Sequence, residues 1–171
     1  MPEYADIYAL SERRTTQAIT DFLDRFLPSR VQSADEYELP QYSDSPIAVF
    51  TNASDLIHHC CENPHEVHAL YWRSDATPEH AMVFFLADGG VVLGMSTPAE
   101  DSRRVDNIAR TLEQFVANED VIVAYEDTPP ASSHAFRALV QRLTRKPDES
   151  ARRGRVHRPM RGEPSDGAES R

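Results

Sequence analysis

The sequence predicts an α+β fold in which helices pack against one mainly antiparallel sheet. Three strand-like segments follow one another in the middle of the chain, and segments with helical apolar periodicity lie before and after them. The predicted order is strand, helix, strand, helix, three strands, helix, strand and helix. A doubly wound parallel fold requires strict alternation of strands and helices, so the consecutive strands favour an antiparallel sheet.

The first half of the chain predicts two helices, each preceded by a strand. Between residues 14 and 27, apolar residues recur three and four positions apart, which places them on one helical face, and Pro28 ends that helix. Asn52 and Ser54 are both favourable N-cap residues for the second helix. The predicted elements are a strand over residues 4–10, a helix over 14–27, a polar loop with room for a short edge strand over 29–44, a strand over 46–51 and a helix over 55–62.

The three consecutive strands predict an antiparallel meander at the centre of the sheet. Residues 67–73 and 80–87 are rich in aromatic and β-branched side chains. Residues 88–90 contain two glycines after an aspartate, which is typical of a tight hairpin turn. The return strand is predicted over residues 91–95.

The second half of the chain predicts two further helices. Thr97, Pro98 and Glu100 match an N-cap, a first-turn proline and the glutamate of a capping box, so a long helix is expected to start there. The remaining predicted elements are a strand over residues 121–125 and a helix that Ser133 caps and that ends near residue 143.

Charge and composition divide the chain into two regions. Residues 1–143 are predicted to form a single acidic domain, and residues 144–171 are predicted to be a disordered, arginine-rich tail because they contain few apolar residues. Residues 1–142 contain 10 arginines and no lysine against 23 carboxylate side chains, a formal charge of −13. Residues 143–171 carry +3, which gives the net charge of −10 for the whole chain.

The same features disfavour several classes of function. A strongly acidic body repels phosphate backbones, which argues against nucleic-acid binding by the folded part, and it favours basic protein partners. The longest apolar run, residues 81–87, is too short to cross a membrane and predicts a buried strand. No secretory leader is visible, and Cys60 and Cys61 are adjacent, which predicts a cytoplasmic protein without disulfides. No phosphate-binding or other cofactor motif is complete, so no cofactor is predicted.

A group of histidines and a cysteine supports a second hypothesis, that the chain is a small enzyme and not a non-enzymatic binding protein. Imidazoles and a thiol close together can bind zinc or activate a thiolate nucleophile. Their spacing matches no strong metal motif, and no oxyanion hole or third catalytic residue can be identified, so the sequence predicts neither a metal nor a catalytic residue. The weak candidates are His58, Cys61, His65 and His68.

Two groups of residues are candidates for binding another protein. Acidic residues concentrate in the predicted loop over residues 29–44. Loops are where binding residues often collect. The strand that opens the meander carries aromatic and arginine side chains, which are enriched at interface centres. An alternative for Trp72 is that it packs in the core. The candidates are Asp35, Glu36, Glu38 and Asp44 in the loop, and Tyr71, Trp72 and Arg73 in the strand.

The arginine-rich tail supports a third hypothesis, an accessory protein that contacts nucleic acid or another anionic partner through this segment. Positive charge in a segment without a core can bind any anionic surface, including the acidic body of the same chain. Simple solubilisation of the chain is the alternative. The arginines concerned are Arg152, Arg153, Arg155, Arg158 and Arg161.

The meander and the helix after it provide a resemblance to a known group of proteins. The strands around residues 69–73 and 81–88, the glycine pair at 89 and 90, and the strand over 91–96 are followed by a capped helix. This arrangement resembles small acidic immunity proteins of bacterial toxin systems. The resemblance implies a stoichiometric, non-catalytic inhibitor whose acidic surface covers a basic toxin site, and the charge of the body permits that role.

Overall fold

A computed structural model describes residues 3–145 of the chain, which form four helices and eight strands. In chain order they are β1 (Tyr4–Ser11), α1 (Thr16–Phe26), β2 (Arg30–Gln32), β3 (Tyr37–Leu39), β4 (Ala48–Phe50), α2 (Ala53–Glu62), β5 (His68–Ser74), β6 (His80–Phe85), β7 (Val91–Pro98), α3 (Ser102–Val116), β8 (Val121–Ala124) and α4 (Ser133–Thr144). The predicted tail lies outside the described residues, apart from its first two positions. The first of these, Thr144, is the last residue of α4.

Six strands form one antiparallel sheet in the order β2-β5-β6-β7-β1-β8, and β3 and β4 form a separate hairpin. The meander β5-β6-β7 occupies three of the four inner positions of the sheet. The predicted α+β class and the central antiparallel meander are therefore confirmed.

Helices cover both faces of this sheet. On one face, α1, α2 and α3 bury residues such as Phe22, Leu56 and Leu112 against the strands. On the opposite face, α4 buries Phe136 and Val140 against a smaller cluster. The sheet residues of that smaller cluster are Tyr8, Leu10, Met82, Leu86, Val92 and Ile122.

The predicted start of the third helix at Thr97 is wrong. Thr97 and Pro98 remain in β7, where they pair with Ala5 and Tyr4 of β1. The helix begins four residues after Pro98, and Asp101 is its N-cap, with a side chain that accepts a hydrogen bond from the Arg104 amide at 2.9 Å. Continued pairing with β1 therefore outweighs the local capping pattern.

Of the two N-cap candidates for α2, Asn52 is confirmed and Ser54 lies inside the helix, and the N-cap of α4 lies one residue before the predicted one. Asn52 Oδ1 accepts a hydrogen bond from the Asp55 amide at 2.9 Å. Ser132, and not Ser133, caps α4. The Ser133 amide instead donates to Asp88 Oδ2 at 2.7 Å, which anchors the start of α4 to the β6-β7 turn.

The segment predicted as a polar loop over residues 29–44 contains two three-residue strands, β2 and β3. β2 forms the edge of the main sheet, and β3 belongs to the separate hairpin. None of the helices within residues 3–145 combines the length and the apolar character that a membrane span requires.

Candidate functional site

An open cavity of about 350 Å³ lies between the chain segment 33–42 and the first half of β5. We call it the acidic pocket. The residues on which its chemistry depends are Glu36, Glu38, Gln41, Tyr42, His68 and Tyr71. Two groups that the sequence nominated separately, the acidic loop and the β5 aromatic strand, therefore meet in one place.

Gln41 joins the loop wall of the acidic pocket to β5. Its side-chain amide donates to the Ala69 carbonyl oxygen at 3.1 Å, and its Oε1 accepts a hydrogen bond from the Ala69 amide at 2.8 Å. The two bonds copy the pattern that a neighbouring strand would make. Because both are formed by one side chain, the loop is held against the sheet without a further strand.

His68 lies beneath the acidic pocket and is almost fully buried, with 2% of its surface exposed. Its Nδ1 lies 3.0 Å from the Ala69 carbonyl oxygen, and its Nε2 lies 2.9 Å from the Glu38 carbonyl oxygen. A carbonyl can only accept, so a neutral imidazole can satisfy one of these contacts and an imidazolium can satisfy both. Burial lowers the pKa of His68, although the two carbonyl contacts oppose that shift.

The lowered pKa of His68 predicts a loss of stability in mild acid. The unfolded chain takes up a proton near the ordinary histidine value of 6.5, whereas the folded chain takes it up only at lower pH. The free energy of unfolding should therefore fall as pH drops below 6.5, with a slope for this group of at most about 1.4 kcal/mol per pH unit.

Urea unfolding of the native chain and of His68→Gln, from about pH 7.5 to about pH 5, measures this effect because glutamine removes the titration. We expect a shallower decline with pH for the variant. Parallel declines in the two proteins would show that His68 does not titrate differently in the folded state.

Two tyrosines stand at the opening of the acidic pocket. Tyr42 is 83% exposed and adopts a left-handed backbone conformation with φ 61°, which is uncommon for a tyrosine. Tyr71 is 37% exposed, and its ring packs edge-on against Phe84 with centroids 5.8 Å apart. Burial raises the pKa of Tyr71, so its hydroxyl stays neutral. One ring is therefore supported by the sheet and the other projects into solvent.

The carboxylates of the acidic pocket have no positive partner in the described part of the chain. Neither Glu36 nor Glu38 takes part in any of the five ion pairs formed within residues 3–145. The pocket lining contains no arginine, and its one imidazole, His68, favours the neutral form. The pocket therefore carries uncompensated negative charge beside exposed aromatic rings.

The structure separates the other predicted binding residues. Asp35 and Asp44 are exposed but do not line the acidic pocket. Trp72 points to the face of the sheet that α1, α2 and α3 cover and is only 3% exposed, so it is a core residue. Tyr71 and Arg73 lie on the opposite side of the strand. The three strand residues therefore do not form one surface.

The histidines and cysteines of the proposed enzyme site do not converge within residues 3–145. His58 Nε2 lies 3.3 Å from Glu62 Oε1, and His65 Nδ1 lies 3.1 Å from the Ala87 carbonyl oxygen. Burial raises the pKa of Cys61 and raises that of Cys60 to about 12, which disfavours a thiolate. No group of three His, Cys, Asp or Glu side chains in this part of the chain is placed to hold a metal ion.

Sequence reasoning missed Gln41 and Tyr42 and nominated His68 only as a weak metal ligand. A glutamine and a tyrosine after a proline in a polar loop give no distinctive pattern, so only the fold brings them to β5. The chain matches no protein-family model, no curated protein and no solved structure. The site itself is therefore the basis for assigning a function.

Proposed function

We propose that this chain is a non-enzymatic protein-binding domain whose acidic pocket receives a basic segment of another protein. The observation that supports this proposal is the combination of uncompensated Glu36 and Glu38 with Tyr42 and Tyr71 in one open cavity. Carboxylates and exposed aromatic faces are the two groups that bind a guanidinium or ammonium ion most readily.

The shape of the acidic pocket suits a side chain better than a small-molecule substrate. The pocket is open to solvent and lies at an edge of the sheet, between a loop and β5, so an extended chain can lie across it. Tyr71 presents a ring backed by Phe84, which limits the entropy lost on binding. An arginine can therefore contact a carboxylate and a ring at the same time.

The charge of the whole body supports the same role. A formal charge of −13 over residues 1–142 attracts a basic partner over long distances and accelerates association at low salt. The proposed partner class is a basic protein, in agreement with the resemblance to immunity proteins that cover a basic toxin site. The proposal also places the protein in the bacterial cytoplasm and expects a gene for a toxin next to its own gene.

Replacing Glu36 and Glu38 together with glutamine tests the proposal. The probe is a synthetic peptide of alternating arginine and glycine, with a citrulline peptide of the same length as the neutral reference. We expect the double variant to bind the arginine peptide about tenfold more weakly, because two carboxylates facing the guanidinium are lost. Fluorescence anisotropy of a labelled peptide, at low and at physiological salt, provides the measurement.

The matched control replaces two exposed carboxylates on the opposite side of the sheet, with Asp106→Asn and Glu113→Gln in α3. This control changes the net charge by the same amount and should leave the affinity nearly unaffected. If both double variants bind with equal affinity, the net charge alone attracts the peptide and the pocket is not the binding site. Equal binding of the citrulline peptide by the native chain would also contradict the proposal.

A further inference from the structure

We infer that residues 146–171 of the arginine-rich C-terminal tail occupy the acidic pocket of their own chain and compete there with a basic partner. The inference rests on the proposed function, because it requires the pocket to bind cationic side chains. It adds a regulatory feature, since a partner would have to displace the tail before it could bind.

The tail leaves the domain on the face that carries part of the acidic pocket. Strand register places Tyr71 opposite Met82, and Met82 belongs to the cluster that α4 covers. Phe84 contacts both the Tyr71 ring and the Tyr8 ring, each with centroids 5.8 Å apart. The helix that precedes the tail and the aromatic wall of the pocket therefore share one side of the sheet.

The tail is long enough to reach the acidic pocket. Arg152 follows the last described residue, Arg145, by seven positions and Arg161 follows it by sixteen. At up to about 3.4 Å per residue, these positions reach as far as about 24 Å and about 54 Å from the end of the described chain. A domain of this size has a radius of gyration of about 14 Å, so much of its surface lies within reach of the last of these arginines.

The charges of the pocket and the tail are complementary. Residues 143–171 hold eight basic and five acidic side chains, and five of the arginines lie between residues 152 and 161. Several arginines of the folded body already have partners: Arg104 pairs with Glu79, and Arg137 pairs with Glu12 and Asp120. The tail therefore provides a concentrated set of arginines for Glu36 and Glu38.

Covalent attachment makes this contact effective even if each arginine binds weakly. A tethered segment experiences an effective concentration in the millimolar range at a site on the same chain. A pocket with a dissociation constant near 0.1 mM for a basic peptide would then be about 90% occupied by the tail, so free peptide would bind about tenfold more weakly.

The test compares the native full-length chain with a full-length variant in which Arg152, Arg153, Arg155, Arg158 and Arg161 are replaced by glutamine. The probe is a synthetic peptide with the sequence of residues 151–162. We expect the glutamine-tail variant to bind this peptide about tenfold more tightly than the native chain does, because its pocket is free. Backbone amide shifts of Gln41, Tyr42 and Tyr71 should also differ between the two proteins without peptide.

The outcomes separate this inference from the proposed function. Equal affinity for the two tails, with weaker binding after Glu36→Gln and Glu38→Gln, would overturn the tail inference and leave the proposed function intact. Absence of binding to either chain would overturn both. Tighter binding by the glutamine-tail variant that persists after Glu36→Gln and Glu38→Gln would show that the tail covers another surface, which also contradicts the inference.

Discussion

Replacing Arg14 with methionine is expected to lower the free energy of unfolding by about 4 kcal/mol, because the change leaves several carbonyl groups without a donor. Arg14 lies between β1 and α1, and its guanidinium lies 4.9 Å from the centre of the Phe85 ring. It donates to the last turn of α2, to the loop after α2 and to the β6-β7 turn. The acceptors are the carbonyl oxygens of Cys60, Leu86, Glu66, Asn63 and Gly90, at 2.8, 2.8, 2.8, 3.1 and 3.4 Å.

The arrangement around Arg14 requires the guanidinium group and not only a positive charge. A lysine ammonium is compact and cannot face three chain segments at once, so Arg14→Lys should still lose about 2 kcal/mol. Arg13→Met is the matched control, because the Arg13 side chain makes a single hydrogen bond, to the Phe115 carbonyl oxygen at 2.9 Å, and lies over the Phe115 ring at the surface. Urea unfolding of the three variants measures the differences. Equal stability of Arg14→Met and Arg13→Met would show that the network around Arg14 contributes little.

Replacing Gly94 with alanine is expected to cost about 2 kcal/mol, because the new methyl group would overlap the Tyr8 ring. A Cβ at this position would lie 2.8 Å from Tyr8 Cδ1 and 3.2 Å from Met82 Cε. Tyr8 cannot easily move away, since it is 3% exposed and its hydroxyl donates to the Asp127 carbonyl oxygen at 3.0 Å. The clash outweighs the gain of up to about 1 kcal/mol that replacing a strand glycine with alanine otherwise gives.

A double-mutant cycle isolates the contact between Gly94 and Tyr8. In a Tyr8→Ala background the ring is absent, so adding Gly94→Ala should cost much less than it does in the native chain. Thermal or urea unfolding of the four proteins gives the coupling energy. Equal costs in the two backgrounds would mean that alanine at position 94 destabilises the sheet for a reason other than the Tyr8 ring.

The fold class could be predicted because it depends on local patterns that are strong in this sequence. The helical periodicity before Pro28, the Asn52 cap and the glycine turn at 88–90 each specify a short segment, and together they define the order of elements. The predicted start of α3 was wrong because Thr97 pairs with Ala5 of β1, which is distant in sequence, and this pairing extends β7 past the predicted start. β2 and β3 are three residues long and depend on partners elsewhere in the chain, so local sequence cannot define them.

The candidate site was only partly predictable, for the same reason. The carboxylates of Glu36 and Glu38 and the aromatic ring of Tyr71 were visible as binding chemistry, but nothing in their spacing indicates that they share a cavity. Strand alternation places Trp72 and Tyr71 on opposite sides of β5, and the buried side belongs to Trp72. Gln41 acquires its role only from its contact with the Ala69 backbone.

The contact of Gln41 with Ala69 also protects part of a sheet edge. β2 covers the outer edge of β5 only from Trp72 to Ser74, and the Ser33 amide continues the pairing to the Tyr71 carbonyl oxygen at 3.0 Å. Beyond that point the Gln41 amide fills both hydrogen-bonding positions of Ala69. An uncovered edge would offer these groups to the edge strand of a second molecule and permit edge-to-edge aggregation. One glutamine side chain thus ends the sheet where the backbone of the edge strand no longer covers it.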